Sequence, residues 1–258
     1  MLFVNYIAKI IFLYLCSLLI VDLIHEGALA QTRIPTVSID LNETDDPEAV
    51  VPAIKIVSLL TVLAVAPAIL LMMTSFTRII IVLSFLRQAL GTATMPPNQV
   101  LLGLALFLTL FTMGPVIDQV MERAFNPYVE KAITQSQAID EVIKPIRKFM
   151  IAETRESDLA LFLNISQGAK PKNIQEIPMR VLMPSFMISE LKTAFQIGFL
   201  IYIPFLVIDM VVSSVLMAMG MMMLPPTVVS MPFKLVLFVL IDGWALVTES
   251  VVKSFALY

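Results

Sequence analysis

Six ionisable side chains lie within the almost unbroken apolar stretch between Met183 and Val252. They are Glu190, Lys192, Asp209, Lys234, Asp242 and Glu249. Charged groups inside long apolar segments are costly, so they pair, face a polar cavity or contact another subunit. Three kinds of chemistry fit them: binding or relaying an ion, catalysing a reaction, or holding an assembly together through polar contacts.

The residue types of most catalytic sites are scarce in this chain. Its one cysteine, Cys16, and its one histidine, His25, lie in a segment with the form of a secretory signal. There Lys9 precedes an apolar core from Ile10 to Ile20, and Ala28-Leu29-Ala30 forms a small-x-small cleavage site. An uncleaved anchor helix is the alternative. Cleavage removes both residues, which excludes disulfides, thiol catalysis and a histidine-based general base or metal site in the mature chain, and no metal or cofactor is expected.

The composition indicates a membrane protein. Of 258 residues, 59% are hydrophobic and only 14% are charged, and the mean hydropathy is +0.91. Soluble domains average about a quarter charged residues. The net charge of −3 and the lack of a basic tract argue against a nucleic-acid partner.

Long apolar runs predict an all-α membrane protein with four long helices in two hairpins. The first hairpin occupies residues 50–121. Its helices run from Val50 to Met73 and from Asn98 to Ile117, with a shorter apolar stretch from Ser75 to Leu90 between them. Arg78 and Arg87 in that stretch project from roughly opposite faces of a helix.

The second hairpin occupies residues 181–258, with its helices on either side of Leu224-Pro225-Pro226. The segment from Pro184 to Met223 is long enough to form a helix of about 60 Å, twice the thickness of the hydrocarbon core. Gly198 and Pro204 do not end it. A helix of that length predicts that protein covers much of its apolar surface, as in an oligomer.

The remaining segments are polar. Residues 1–30 are the predicted cleavable signal peptide, and residues 31–49 form an acidic, disordered exported tail. Residues 122–180 form an exported region with two amphipathic helices. Their apolar stripes are Ile139, Val142, Ile143, Ile146, Phe149 and Met150, and then Leu159, Phe162 and Leu163. The two helices either pack against each other or contact a partner, in which case Phe149 and Phe162 are the expected subunit contacts.

The signal also predicts an orientation. A cleaved N-terminus starts outside, so the first long helix enters, the second returns, and the charged region and the C-terminus lie outside. Arg78 and Arg87 then fall on the inner side, in agreement with the positive-inside rule.

Several motifs resemble the flagellar biosynthetic protein FliP family. The first family signature is resembled by the run Pro184-Ser185-Phe186-Met187-Ile188-Ser189-Glu190-Leu191-Lys192-Thr193-Ala194-Phe195-Gln196-Ile197-Gly198. The second is resembled by Pro232-Phe233-Lys234, followed by Leu235 to Ile241 and Asp242-Gly243-Trp244. Phe85 to Gly91, Pro97 to Leu108 and Glu153 to Leu159 also match the family pattern. The resemblance covers Val50 to the C-terminus; Ser185 stands where the family often has alanine.

The resemblance implies a core, channel-forming subunit of the flagellar type III protein export gate in the bacterial inner membrane, at the flagellar basal body. Family members assemble as several copies with the FliQ and FliR subunits into a closed helical channel, near the FlhA and FlhB export components. Unfolded flagellar subunits are the implied cargo. The equivalent injectisome subunit is the alternative, and the signal peptide with the acidic tail favours the flagellar branch.

The triplet Met221-Met222-Met223 precedes Leu224-Pro225-Pro226. Methionine is flexible and polarizable, so a ring of such side chains can seal around varied surfaces. A methionine-rich core turn is the alternative, but the resemblance implies a pore gasket at this position.

With the resemblance, polar contacts between subunits become the favoured role of the charged residues. Glu190 and Lys192 point apart on a helix, so each needs a partner elsewhere, and another subunit is the expected source. The same interpretation applies to Lys234 and Asp242. It also applies to Asp209, for which the sequence indicates no partner. Arg78 and Arg87 either join such contacts or extend to the membrane interface. A transporter or proton channel with an Asp209–Asp242 relay is a second hypothesis, against which stands the absence of an internal repeat. An intramembrane hydrolase is a third, against which stand the loss of the histidine and the absence of a Gly-x-Ser-x-Gly motif. The resemblance implies a protein that is not an enzyme.

Overall fold

The computed structural model describes residues 47–92, 94–166, 173–221 and 223–255, which form helices and no strand. The predicted signal segment, with Ala28 and Ala30, lies outside the described residues, as do Met222 and most of the acidic tail. The α-helices are α1 (Pro47–Met72), α2 (Phe76–Ala89), α3 (Asn98–Thr112), α4 (Gly114–Val120), α5 (Asn126–Val129), α6 (Gln135–Glu153), α7 (Glu156–Ile165), α8 (Met179–Ala218), α9 (Pro226–Leu240) and α10 (Gly243–Lys253). A π-helical turn, Met121–Phe125, joins α4 to α5, and a 3-10 turn, Ile174–Glu176, precedes α8.

The prediction of one long uninterrupted helix is confirmed by α8. It has 40 residues and contains both Pro184 and Pro204, so it is about 60 Å long. Helix α1, over Ile54–Met72, and α8 are long and apolar enough to cross a membrane. The number of spans rises to four if each of two bent helix pairs counts as one span. The chain is therefore an all-helical protein of membrane character.

Both bent pairs depart from the predicted straight helices. The helix expected to run from Asn98 to Ile117 ends at Thr112, and the chain turns by 59° into the following helix. Pro115 explains the break, because it has no backbone N–H to donate to the preceding turn and its ring clashes with the carbonyl one turn earlier, whereas the first turn of a new helix accepts it. The second bend, of 69°, lies between α9 and α10, where Asp242 has a φ of 51° in the left-handed region.

Helix α2 lies antiparallel to α3 and against α8. The hydroxyls of Ser75, before α2, and Thr112, at the end of α3, lie 2.5 Å apart. Helix α2 is about 21 Å long. It carries the chain from the end of α1 to the opposite end of the fold, where α3 begins. The ends of α1 and α3 therefore meet at one end of the fold. The first hairpin therefore does not have the ends of its two long helices at opposite ends of the fold, while the predicted orientation across the membrane stays a prediction.

The two amphipathic helices predicted between the hairpins are present as α6 and α7. Helix α6 begins with a capping box in which Thr134 and Gln137 satisfy each other's backbone N–H groups. Both helices pack against α8, and α6 also contacts the π-helical turn. The long helix is thus a packing partner of both, which neither of the two predicted alternatives included.

Candidate functional site: ion pairs along the long helix and the methionine turn

Arg78 forms the most complete polar cluster of the described residues. Its Nε donates to Oε2 of Glu190 at 2.9 Å, and its Nη2 donates to Oε1 of Glu190 and, at 2.7 Å, to Oε2 of Glu153. Its Nη1 donates to the carbonyl oxygen of Ser254 at 2.7 Å and to its Oγ at 3.0 Å. An arginine has five N–H donors, and all five are used here.

The Arg78 cluster is buried and joins four parts of the chain. Arg78 is 1% exposed and Glu190 is fully buried, and the guanidinium carbon lies 3.9 Å from the ring centroid of Phe255. The contributors are α2, α6, α8 and the residues after α10. Arg78 therefore neither extends to the membrane interface nor needs a second subunit, as the sequence had suggested. Its role within one chain is to hold these segments together.

A second ion pair joins α7 to α8. Nζ of Lys192 donates to Oδ1 of Asp158, and Oγ of Ser189 donates to Oδ2 at 2.9 Å. The backbone N–H of Arg155, which precedes α7, donates to the same Ser189 Oγ at 2.9 Å. These bonds fix the first turn of α7 on the long helix. The sequence predicts that the partner of Lys192 lies in another subunit, but its partner, Asp158, lies in this chain.

Asp158 has a pKa below its ordinary value of 3.8. Burial by itself raises the pKa of this carboxyl, but the hydrogen bonds from Lys192 and Ser189 and the nearby positive charges lower it further than burial raises it. The ionised form is thus the one that the folded state stabilises.

A stability difference that depends on pH follows from this carboxyl. A depressed pKa contributes stability above the unfolded value of about 3.8, which is lost as the pH falls through the lower folded value. Asp158→Asn should therefore lower the unfolding temperature of the detergent-extracted chain at neutral pH. As the pH falls below about 4, the variant should lose less stability than wild type loses. Asp118→Asn, at an exposed position, is the control. Parallel pH profiles for wild type and Asp158→Asn would contradict the assignment.

A third ion pair lies in the second hairpin, between α8 and α9. Nζ of Lys234 donates to Oδ2 of Asp209 at 2.5 Å, and Oγ of Ser230 donates to Oδ1 at 2.5 Å. Asp209 is therefore not without a partner, which corrects the interpretation of the sequence. Because this carboxylate is held by two donors, it is poorly suited to the proton relay with Asp242 that the transporter hypothesis requires.

Asp242 differs from the other predicted contact residues. It is exposed at the bend between α9 and α10, and its side chain caps neither helix. Glu249 and Lys253 form the predicted i,i+4 pair on α10, with Nζ and Oε1 2.5 Å apart. Of the five residues predicted to contact other subunits, four are paired inside the chain; only Asp242 is left with an exposed carboxylate.

The two aromatic residues predicted as subunit contacts lie inside the fold or at its edge. Phe149 is 1% exposed, and its ring packs against those of Phe186 and Phe255 at centroid distances of 5.8 and 6.4 Å. It belongs to the core of this chain, because its apolar stripe on α6 faces α8. Phe162 is partly buried against the same core, so only its outer part is available to a partner.

The methionine turn, residues 217–221 and 223, lies at the opposite end of α8 from the charged helices. Helix α8 ends in a Schellman motif, in which the N–H of Met221 donates to the carbonyl of Leu216 and that of Gly220 to Met217. Gly220 takes the left-handed conformation with a φ of 73°, which glycine adopts without steric cost. Pro225 and Pro226 then begin α9. The side chain of Met223 is 98% exposed.

The sequence did not point to Glu153, Asp158 or Ser254 as partners in these clusters. Nothing local marks them, because their partners are 75, 34 and 176 residues away. Asp209 and Lys234 did carry a signal. Asp209 lies thirteen residues before and Lys234 twelve residues after Met222, the centre of the methionine triplet, so an antiparallel hairpin turning there places them side by side.

Comparison with known proteins gives a consistent answer. The model of the FliP family matches residues 59–251. Flagellar biosynthetic protein FliP of Bacillus subtilis (strain 168) is 54% identical over 217 residues, covering 84% of this chain and 98% of that protein. The Pectobacterium carotovorum protein of the same name is 59% identical over 197 residues, 76% of each chain. That of Aquifex aeolicus is 45% identical over 235 residues, covering 90% and 97%. A family match over most of the chain, with relatives this similar along three quarters or more of their length, shows that the chain belongs to the FliP family.

Proposed function

We propose that this chain is a channel-forming subunit of the flagellar type III protein export gate in the bacterial inner membrane. The observation that carries the proposal is the family match over residues 59–251. Relatives from three distant bacteria carry the name flagellar biosynthetic protein, which supports the flagellar branch over the injectisome. Its partners are then FliQ, FliR, FlhA and FlhB, and its cargo is unfolded flagellar protein. The role is not enzymatic.

The exposed apolar surface of the second hairpin supports an oligomeric gate. On α8, Phe199 and Leu200 are 62% and 66% exposed, and on α9, Val239 and Leu240 are 74% and 78% exposed. A helix of about 60 Å extends well beyond the roughly 30 Å of a hydrocarbon core. Lipid alone does not cover so long a surface, and large exposed apolar patches mark interaction sites. We propose that copies of this chain and its family partners cover this apolar surface.

The methionine turn is the proposed seal of the closed channel. Met219, Met221 and Met223 are exposed, the Schellman motif fixes the backbone of residues 216–221, and Pro225 precedes α9. A rigid turn with flexible, polarizable side chains can close around cargo of varied shape when it is repeated around a pore. The triplet Met221, Met222 and Met223 would form this gasket.

Replacing Met221, Met222 and Met223 together with alanine tests the seal. The variant, co-expressed with its partner subunits, should assemble normally and raise the ionic conductance of the membrane, because alanine leaves the pore partly unfilled. Conductance is measured in planar bilayers containing the purified complex. The matched control replaces Met72, Met95 and Met210, which are exposed elsewhere, and should stay at background. Background conductance in the turn variant, or equal conductance in both, would refute the gasket.

A further inference from the structure

A cavity of about 870 Å³ lies between the α4 end of the first hairpin and α6. Its lining is rich in basic side chains, namely Arg123, Lys144, Arg147 and Lys148, against the two acidic residues Asp140 and Glu141. Lys144 pairs with Glu141 along α6. Arg123 and Arg147 carry more positive charge than Asp140 carries negative charge, which favours an anionic ligand.

Two arginines of this cavity have donors to offer. Nη2 of Arg147 donates to the carbonyl oxygen of Ile177, which fixes the guanidinium, while its Nε is buried with no hydrogen-bond partner among the described residues. Arg123 is exposed and forms no ion pair within the described part of the chain. Arg123 and Arg147 therefore present two positive charges to an anion in the cavity.

An apolar trough adjoins the basic cavity. It consists of two cavities of about 340 and 400 Å³ that share Val120, Met121 and Val142 in their linings. The second of them shares Ile143 with the basic cavity. The trough has almost no polar surface. A ligand that bridges Ile143 therefore meets positive charge on one side and only hydrocarbon on the other.

The trough lies at the C-terminal end of the membrane-capable helix α1 and at the bend between α3 and α4. Leu70 and Leu71, from the last turn of α1, line it together with Leu106 and Leu110 of α3, and the bend at Met113 follows directly. Basic side chains at the ends of apolar helices reach the depth of lipid phosphates. The position therefore agrees with the boundary between acyl chains and headgroups.

We propose that the basic cavity and the apolar trough together bind one anionic phospholipid. Its phosphate contacts Arg123 and Arg147, and an acyl chain lies along the trough past Val142. Only an amphiphile uses both halves, since a soluble anion leaves the trough empty and a neutral lipid leaves the positive charge uncompensated. The site depends on the membrane character of the chain and not on its proposed role in export.

Native mass spectrometry of the detergent-extracted full chain tests the proposal. The probes are phosphatidylglycerol, phosphatidylcholine and inorganic phosphate, each added at matched concentration. Wild type should bind one phosphatidylglycerol in preference to phosphatidylcholine. Arg123→Gln with Arg147→Gln should weaken phosphatidylglycerol binding at least about tenfold, since a charge-assisted hydrogen bond contributes about 1.5–3 kcal/mol. Arg180→Gln, which removes an exposed charge outside the cavity, should leave binding unchanged.

A trough variant distinguishes a lipid from a free anion. Met121→Gln places a polar group among the apolar lining and should weaken phosphatidylglycerol binding. If Met121→Gln has no effect while inorganic phosphate competes fully, the site takes a small anion and the proposal is overturned. Equal binding of the two lipids overturns it as well. If Arg147→Gln lowers the unfolding temperature, Arg123→Gln alone gives the deciding comparison, because this exposed residue carries no packing role.

Discussion

Replacing Arg78 with alanine is expected to lower the free energy of unfolding by about 3–5 kcal/mol, the usual cost of removing one partner of a buried ion pair. The substitution leaves the carboxylates of Glu190 and Glu153 without their guanidinium, and it deletes both bonds to Ser254. It also removes the cation under the Phe255 ring. Thermal unfolding of the detergent-extracted chain, followed by size-exclusion chromatography after heating, measures the loss.

Two further variants make the Arg78 result specific. Arg87→Ala removes an arginine of the same helix whose Nη1 contacts Asn98 at 2.5 Å near the protein surface, and it should cost far less. Arg78→Lys keeps the charge but offers three donors in place of five, so its stability should fall between those of wild type and Arg78→Ala. An Arg78→Ala chain that unfolds at the wild-type temperature would show that the cluster does not hold the segments together.

Replacing Gly198 with valine is expected to separate α2 from α8. A Cβ at Gly198 would lie 2.6 Å from two ring atoms of Phe85 and 3.0 Å from its Cβ. These atoms are close to the backbone of α2, so a change of side-chain rotamer does not relieve the contact and the helix has to move. Overpacking of a core costs about 1–3 kcal/mol, and we expect the upper part of that range. The unfolding temperature in detergent is the measurement.

Gly103→Val is the matched control, since nothing lies within 4 Å of a Cβ there. It should be neutral or slightly stabilising, because valine suits a helix better than glycine does. Phe85→Ala in the Gly198→Val background should recover part of the lost stability, and a double-mutant cycle should give a coupling energy of about 1 kcal/mol or more. Additive effects of the two changes would mean that Phe85 and Gly198 are not in contact.

Local patterns in the sequence predicted local structure well. The apolar length of α8, the two amphipathic helices and the Glu249–Lys253 pair depend on periodicity along one helix, and the structure confirms all three. The bend after Thr112 was missed although Pro115 marks it, because the apolar run continues unbroken through it. Hydrophobicity alone does not register the loss of one backbone hydrogen bond.

The partners of the buried charges were not predictable in the same way. The sequence correctly indicated that Glu190 and Lys192 cannot pair with each other, yet it assigned their partners to other subunits. Glu190 and its partner Arg78 are 112 residues apart, and no spacing rule acts over such a distance. Only the tertiary fold, with α2 packed along α8, brings the two side chains together. Phe149 was misassigned for a related reason, because an apolar stripe does not reveal which surface it faces.

The bond between Arg78 and Ser254 has a consequence for the order in which the fold is completed during synthesis. The two residues are 176 positions apart, so a ribosome adding 5–20 residues per second makes Ser254 about 10–35 s after Arg78. Throughout that time the guanidinium has no complete set of acceptors. Glu153 and Glu190 become available earlier, but Ser254 and the Phe255 ring arrive last. The final packing of α2 is therefore a late event, which follows translation of the second hairpin rather than accompanying insertion of the first.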